Sequence, residues 1–223
     1  MIHLAALQVP FVRDDPVLGS RVNVTGTVNV LEAVRRRGDR MGPVVYASSI
    51  AAMKADAEYP STLYGVFKLA NEGTAAGYFA DFGVPSVGLR PHTIYGPGRD
   101  QGLTSAPTAA MVAAARGEAY EIPFGGSLQL QYVADAGEAF VRASEARVEG
   151  ASVHNLDGPV ASVEEIVAAI EAAEPGARIT HGSDPLPFPP EVDSSSFTDL
   201  IGGPTARPLT EGVAESIERF REA

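Results

Sequence analysis

Val44-Val45-Tyr46-Ala47-Ser48-Ser49, and after it Tyr64-Gly65-Val66-Phe67-Lys68, are the stretches on which the fold turns. The first is a short β-rich run ending in two hydroxyls. The second lies in a helical pattern that Ser61 or Thr62 opens and that runs through Tyr64, Lys68 and Glu72 towards Phe82-Gly83, where glycine can end a helix. Another β-rich run follows at Ser86 to Arg90. Strand, crossover helix and strand form the repeating unit of a parallel sheet.

Working outward, the unit recurs. Ile2 to Ala5 reads as a strand, and Asp15-Pro16 supplies a cap and a first-turn proline to a helix in which Val24, Val28 and Leu31 recur at helical spacing until Gly38. Ser152 to Leu156 is a further strand. Between them Gly96, Pro97, Gly98 and Gly102 crowd a loop, and Gly125 and Gly126 precede a short strand-like run, Leu130 to Val133. Helices are expected over Thr104 to Arg116, Ala134 to Ala146 and about Thr210 to Arg221, and a capping box at Ser162-Val163-Glu164-Glu165 opens another that reaches Ala173. The Pro-rich stretch Asp184 to Pro190 reads as a surface loop. The expected architecture is a doubly wound, Rossmann-like α/β fold with a small C-terminal lobe, divided near residues 1–150 and 151–223.

Composition removes whole classes of function. Lys and Arg total 17 against 28 Asp and Glu, a net charge of −11, so no basic field exists to gather nucleic acid or anionic lipid. The absence of cysteine excludes disulfides, thiolate zinc sites and cysteine nucleophiles. Apolar runs break too early for a membrane helix and no signal pattern opens the chain, so a cytoplasmic protein is expected. The four His are dispersed along the sequence, and no metal site is expected.

Chemistry is carried by Tyr64, Lys68 and the Ser48-Ser49 pair. Tyrosine and lysine four apart share a helix face, and a neighbouring ammonium favours phenolate, which makes the phenol a usable proton donor and acceptor. A serine hydroxyl facing that phenol would hold a carbonyl or alcohol oxygen while hydride leaves or arrives at its carbon.

These residues, with several further motifs in order, resemble the extended short-chain dehydrogenase/reductase family, the NAD-dependent epimerases and dehydratases. His3-Leu4-Ala5-Ala6 resembles the family's stretch after its fourth strand, and Val22-Asn23-Val24-Thr25-Gly26-Thr27 through Leu31-Glu32-Ala33 its next helix. Val45-Tyr46-Ala47-Ser48-Ser49 is similar to the strand with the catalytic hydroxyl, and Leu89-Arg90-Pro91 with Ile94-Tyr95-Gly96-Pro97-Gly98-Arg99 to the loop over nicotinamide and substrate. The resemblance implies Tyr64 as acid/base, Lys68 as its modulator and a nicotinamide-ribose contact, and Ser49 as the group polarising the substrate oxygen. It further implies that Leu4, Ala5, Ala6, Gln8, Asn23, Pro91 and His92 line NAD or NADP, and that Thr93 and Arg99 face the substrate. Asn23 has a plain alternative as a backbone cross-link, and His92 as a packed loop imidazole. The resemblance also implies a homodimer through the Val24 and Tyr64 helices.

Two departures stand out. Family members begin with a strand, a glycine-rich turn and a helix that hold the cofactor's pyrophosphate; here about sixty residues, roughly three strands' worth, are missing from the front. A misplaced start and a genuinely shortened protein are the two explanations. Either way, these 223 residues are expected to bind NAD weakly or not at all, which calorimetry measures. Secondly, Leu128 to Asp135 lacks the arginine that grips a nucleotide-sugar diphosphate, which favours a smaller polar substrate such as a sugar, sugar acid or hydroxy-ketone. The implied function is hydride transfer at a carbinol or carbonyl carbon of a small molecule. The alternative is a catalytically silent binding or scaffold protein that keeps the fold.

Overall fold

The computed structural model describes residues 1–38, 42–53 and 62–222. In chain order their elements are β1 (Ile2–His3), α1 (Val9–Asp14), α2 (Pro16–Ser20), a π-helical segment (Arg21–Thr25), α3 (Gly26–Arg37), β2 (Val44–Ala47), α4 (Leu63–Phe82), β3 (Ser86–Arg90), β4 (Thr93–Tyr95) and α5 (Ala106–Ala115). There follow β5 (Ala119–Ile122), β6 (Ser127–Tyr132), α6 (Val133–Glu145), β7 (Ala151–Asn155), β8 (Val160–Ser162), α7 (Val163–Ala173), β9 (Arg178–His181), α8 (Ser195–Ile201) and α9 (Leu209–Arg221). They sort into two compact units, Met1–Pro91 with Glu138–Leu156 and Ser194–Gly203, and His92–Gly137 with Asp157–Asp193 and Pro204–Ala223. The units interleave along the chain, where a single boundary near 150 was expected. The physical reason is strand pairing: β7, late in sequence, hydrogen-bonds to β3 and so belongs with the N-terminal sheet.

The first unit is built on a parallel sheet of order β1-β2-β3-β7. Val44, Val45, Val87 and Leu89 are buried although neighbours along a strand point to opposite faces, so both faces are covered, as parallel sheets require. Val44 and Tyr46, on one face, pack with Leu31 and Val34 of α3, Ala75 of α4, and Val84. The Tyr46 ring lies over Gly88, its register partner on β3; a Cβ there would stand 2.6 Å from the phenol oxygen, so glycine makes room for the ring.

The helix ends follow from sequence chemistry. Asp15 accepts from the Leu18 amide at 2.9 Å to cap α2, and Thr62 accepts from the Gly65 amide at 3.1 Å to cap α4. Ser61, the alternative opener, lies outside the described residues. Gly38 (φ 78°) ends α3 and Gly83 (φ 68°) ends α4, conformations that side chains resist.

The second unit holds a three-stranded sheet, β4-β6-β8, with β4 and β6 parallel and β6 and β8 antiparallel, and a parallel pair, β5 and β9. Its core joins Met111 of α5, Ile122 of β5, Leu128 and Leu130 of β6, Ile166 and Ile170 of α7, and Val213 and Ile217 of α9. The capping box forms: Ser162 accepts from the Glu165 amide at 3.2 Å, and the Glu165 carboxylate accepts from the Ser162 amide at 2.7 Å. Among the described residues, no helix is long and apolar enough to cross a membrane.

Candidate active site

Lys68 is 3% exposed, and its Nζ donates to the Ala47 carbonyl at 2.6 Å. The same nitrogen stands 5.5 Å from the centre of the Tyr64 ring. Burial disfavours the ammonium and brings its pKa down to about 8. Tyr64 is half-buried in the first turn of α4, where the helix's unpaired amides favour negative charge developing on the phenol oxygen. Ser49 follows β2, half-buried, and its Oγ accepts from the Ala51 amide at 3.1 Å. Because that bond uses a lone pair, the hydroxyl proton stays available for donation. The short turn Ile50–Ala52 packs against α4. Lys68 thus links Tyr64 to the carbonyl two residues before Ser49.

The loop after β1 carries Leu4, Ala5, Ala6 and Gln8, with Leu4 58% exposed. Asn23 organises it. Its Nδ2 donates to the Leu7 carbonyl at 2.9 Å and its Oδ1 accepts from the Leu7 amide at 2.7 Å, so both ends of its side-chain amide are spent on this backbone. Asn23 lies in the π-helical segment, a widening common at functional sites, and its own carbonyl accepts from Thr27 Oγ1 at 2.8 Å and Asn71 Nδ2 at 2.9 Å. Loop, π segment and α4 are therefore tied together. His3, at the end of β1, bonds Thr27 through Nε2 at 3.1 Å; burial, then the charge of Lys68, lowers its pKa.

Pro91 ends the first unit's long segment, its carbonyl accepting from the Ile50 amide at 3.0 Å. His92 begins the second unit and is buried there. Its Nε2 donates to the Pro189 carbonyl at 2.7 Å, which leaves Nδ1 to accept from Thr93 Oγ1 at 3.1 Å; burial lowers its pKa and keeps the ring neutral. Phe188 stands edge-on to it. One ring nitrogen thus serves the loop expected over Asp184 to Pro190 and the other the neighbouring Thr93. Thr93 is fully buried, and Arg99 donates to Thr104 Oγ1 at 2.9 Å.

Sequence reasoning left two features of β6 unread. Where an arginine was sought, Gln129 and Gln131 are buried, accepting from the amides of Val192 at 3.1 Å and His92 at 2.9 Å. Just beyond, Asp135 receives the Arg207 guanidinium through its Nε and Nη2 at 2.9 and 2.8 Å, with the guanidinium carbon 4.3 Å over the Tyr132 ring. The signal was an arginine just ahead of the last helix facing an acidic residue in the first turn of another. Among the described residues no three His, Asp or Glu gather to hold a metal ion.

Comparison with known proteins places the chain in a class. A family model described as the NAD dependent epimerase/dehydratase family matches residues 1–156, and the chain belongs to that family. It is 25% identical over 252 aligned positions to an uncharacterized 37.6 kDa protein of Escherichia coli O111:H-, covering 97% of this chain and 73% of that one. It is 27% identical over 218 positions to an uncharacterized epimerase/dehydratase of Staphylococcus aureus (strain USA300), covering 87% and 67%. Among solved structures it is similar to an L-threonine dehydrogenase from Cupriavidus necator in its holo form, at a TM-score of 0.84 and 26% identity over 98% of this chain and 77% of that chain. The fold is also shared with UDP-glucose 4-epimerase from Thermotoga maritima, at a TM-score of 0.84 and 21% identity over 99% and 76%.

Proposed function

We propose that the protein transfers hydride at a carbinol or carbonyl carbon of a small polar substrate, a sugar, sugar acid or hydroxy acid, using NAD or NADP. The observation that carries this is buried Lys68 held between the Tyr64 ring and the Ala47 carbonyl, two residues before Ser49 in the chain. Tyr64 takes the proton from the substrate hydroxyl, Ser49 donates a hydrogen bond to the same oxygen, and Lys68 supplies the positive charge that favours phenolate.

The residues present fit the nicotinamide-ribose end of the cofactor. Lys68 bonds one carbonyl through Nζ, which has three hydrogens to give, and the loop after β1 offers exposed Leu4 beyond the carboxyl end of a parallel strand, where such folds bind ligands. Leu4, Ala5, Ala6 and Gln8 would line that end, with Asn23 holding their backbone and Pro91 and His92 at its border. A bound nicotinamide would supply the hydride acceptor or donor. The Gly96-Pro97-Gly98 cluster is not its pyrophosphate turn, since a turn at Leu103–Ser105 separates it from α5 and Pro97 has no amide to give.

Substrate size follows from β6. Gln129 and Gln131 are neutral and spend their carbonyl oxygens on backbone, so this strand offers a diphosphate no guanidinium fork. Of the two expected substrate contacts, Arg99 is the one we assign, since Thr93 is fully buried with its hydroxyl donated to His92. The likeness to an L-threonine dehydrogenase agrees with a small hydroxy acid. The test is turnover of L-threonine, simple sugars, sugar acids and UDP-glucose with NAD and NADP by the protein as the cell makes it. Turnover that Tyr64→Phe removes supports the assignment; none with any member sinks it.

Leu63, Val66, Phe79 and Phe82 leave apolar surface exposed along α4. We assign it, with α3, to a homodimer interface. Light scattering should return twice the chain's 23.3 kDa, and a monomer at micromolar concentration would exclude the assignment.

A further inference from the structure

We propose that Glu72 is a positioning residue, which fixes the direction of Ser49 by gripping Ser48; this rests on the reading of Ser49 as a substrate-polarising group. Glu72 lies on α4, four residues beyond Lys68 and eight beyond Tyr64, so the three share a stripe of the helix. Its side chain is only 7% exposed. A buried carboxylate must be paired, and this one is saturated. Oε1 accepts from Ser48 Oγ at 2.5 Å and from Arg90 Nε at 2.8 Å, and Oε2 accepts from Arg90 Nη2 at 2.5 Å.

The consequence lies in what these partners adjoin. Ser48 is the residue before Ser49, and Arg90 the residue before Pro91, at the carboxyl ends of the neighbouring strands β2 and β3. Four bonds bracket Ser49: Lys68 holds the Ala47 carbonyl at 2.6 Å, the Ser48 amide donates to the Leu89 carbonyl at 2.7 Å, Glu72 holds the Ser48 hydroxyl, and the Ile50 amide donates to the Pro91 carbonyl at 3.0 Å. Of these, the Ser48 hydroxyl bond resists rotation of the chain just ahead of Ser49. In extended backbone, successive side chains point to opposite sides, so seating Ser48 against α4 turns Ser49 away from that contact. The charges of α4 thus act as a pair, the cation on the backbone and the anion on the side chain of adjoining residues. A carboxylate is suited to this because it can satisfy the arginine fork and still accept from the hydroxyl.

Ser48→Ala tests the link while leaving the Glu72–Arg90 pair intact. Amide hydrogen exchange reads it at Ala51, whose N–H is held by Ser49 Oγ. We expect Ala51 to exchange about tenfold faster, Val45 and Val87 in the sheet to stay as they were, and kcat on a panel substrate to fall about tenfold with KM within twofold. Unchanged exchange at Ala51 overturns the proposal, as does a uniform rise that includes Val45 and Val87, which would make the contact merely structural. Glu72→Gln gives a second measurement, expected to raise Ala51 exchange at least as much if the variant folds. Should wild type turn over nothing, the functional assignment fails, and the exchange data still decide the role of Glu72.

Discussion

Tyr64→Phe is expected to lower kcat about a thousandfold while KM stays within about twofold. The substitution removes one oxygen and keeps the ring that lies 5.5 Å from Lys68 Nζ. The helix cap at Thr62 and the ring's place in α4 are kept, so any loss of stability should not exceed the worth of one hydrogen bond, about 1.5 kcal/mol. Substrate binding and Ser49's hydrogen bond survive in the variant. What is lost is the group that accepts the alcohol proton as hydride departs, an interaction made only on the way to the transition state. Steady-state kinetics on any substrate the panel identifies will measure it, and a loss under tenfold would assign proton transfer to another group.

Lys68→Met should do the opposite to stability, adding about 2 kcal/mol near neutral pH while removing turnover. Burial brings the folded-state pKa of this amine from its ordinary 10.5 to about 8, so the native state holds this proton less tightly than the unfolded chain does. The unfolded chain binds the proton up to about 10.5. Between those values the unfolded state therefore holds more protons, and native stability rises with pH across that window; below about pH 8 the full cost of the buried ammonium is present. Methionine carries no such cost, although it abandons the bond to the Ala47 carbonyl. Urea denaturation of both proteins from pH 7 to 11 should show the variant's advantage shrinking as pH rises. His3, which faces the same charge, titrates below this range and leaves the comparison clear. A gap constant with pH would mean that the amine keeps its proton in the folded protein.

Strands β2 and β3 were legible to the residue because Val-rich runs buried on both faces stand between punctuating Gly, Pro and Ser residues. The caps at Asp15, Thr62 and Ser162 were legible because a short oxygen-bearing side chain before a helix has few other uses. Strands β4, β5, β8 and β9 were not, since they are three or four residues long and lack the run of buried apolar residues that marks β2. The expected helix at Thr104 starts at Ala106, because its first residues form a tighter turn. Tyr64 and Lys68 stood out through spacing, and Ser49 over Ser48 through the family resemblance. Glu72 lay on the same helical pattern, and its role depends on an arginine eighteen positions away that only the pairing of β2 with β3 brings alongside. Asn23 stood between two uses, and its grip on Leu7 is a contact across sixteen positions that no local pattern encodes.

The alternation of the two units along the chain bears on how the polypeptide is made. The first needs Ser194–Gly203 and the second needs the segment from Pro204 onward, so neither is complete until the last stretch has left the ribosome. At about 5–20 residues per second, β1 to β3 therefore wait on the order of ten seconds for their final partners. For the first part of that interval, until Ala151–Asn155 emerges, β3 lacks β7 and offers an open edge of the kind that chaperones shield.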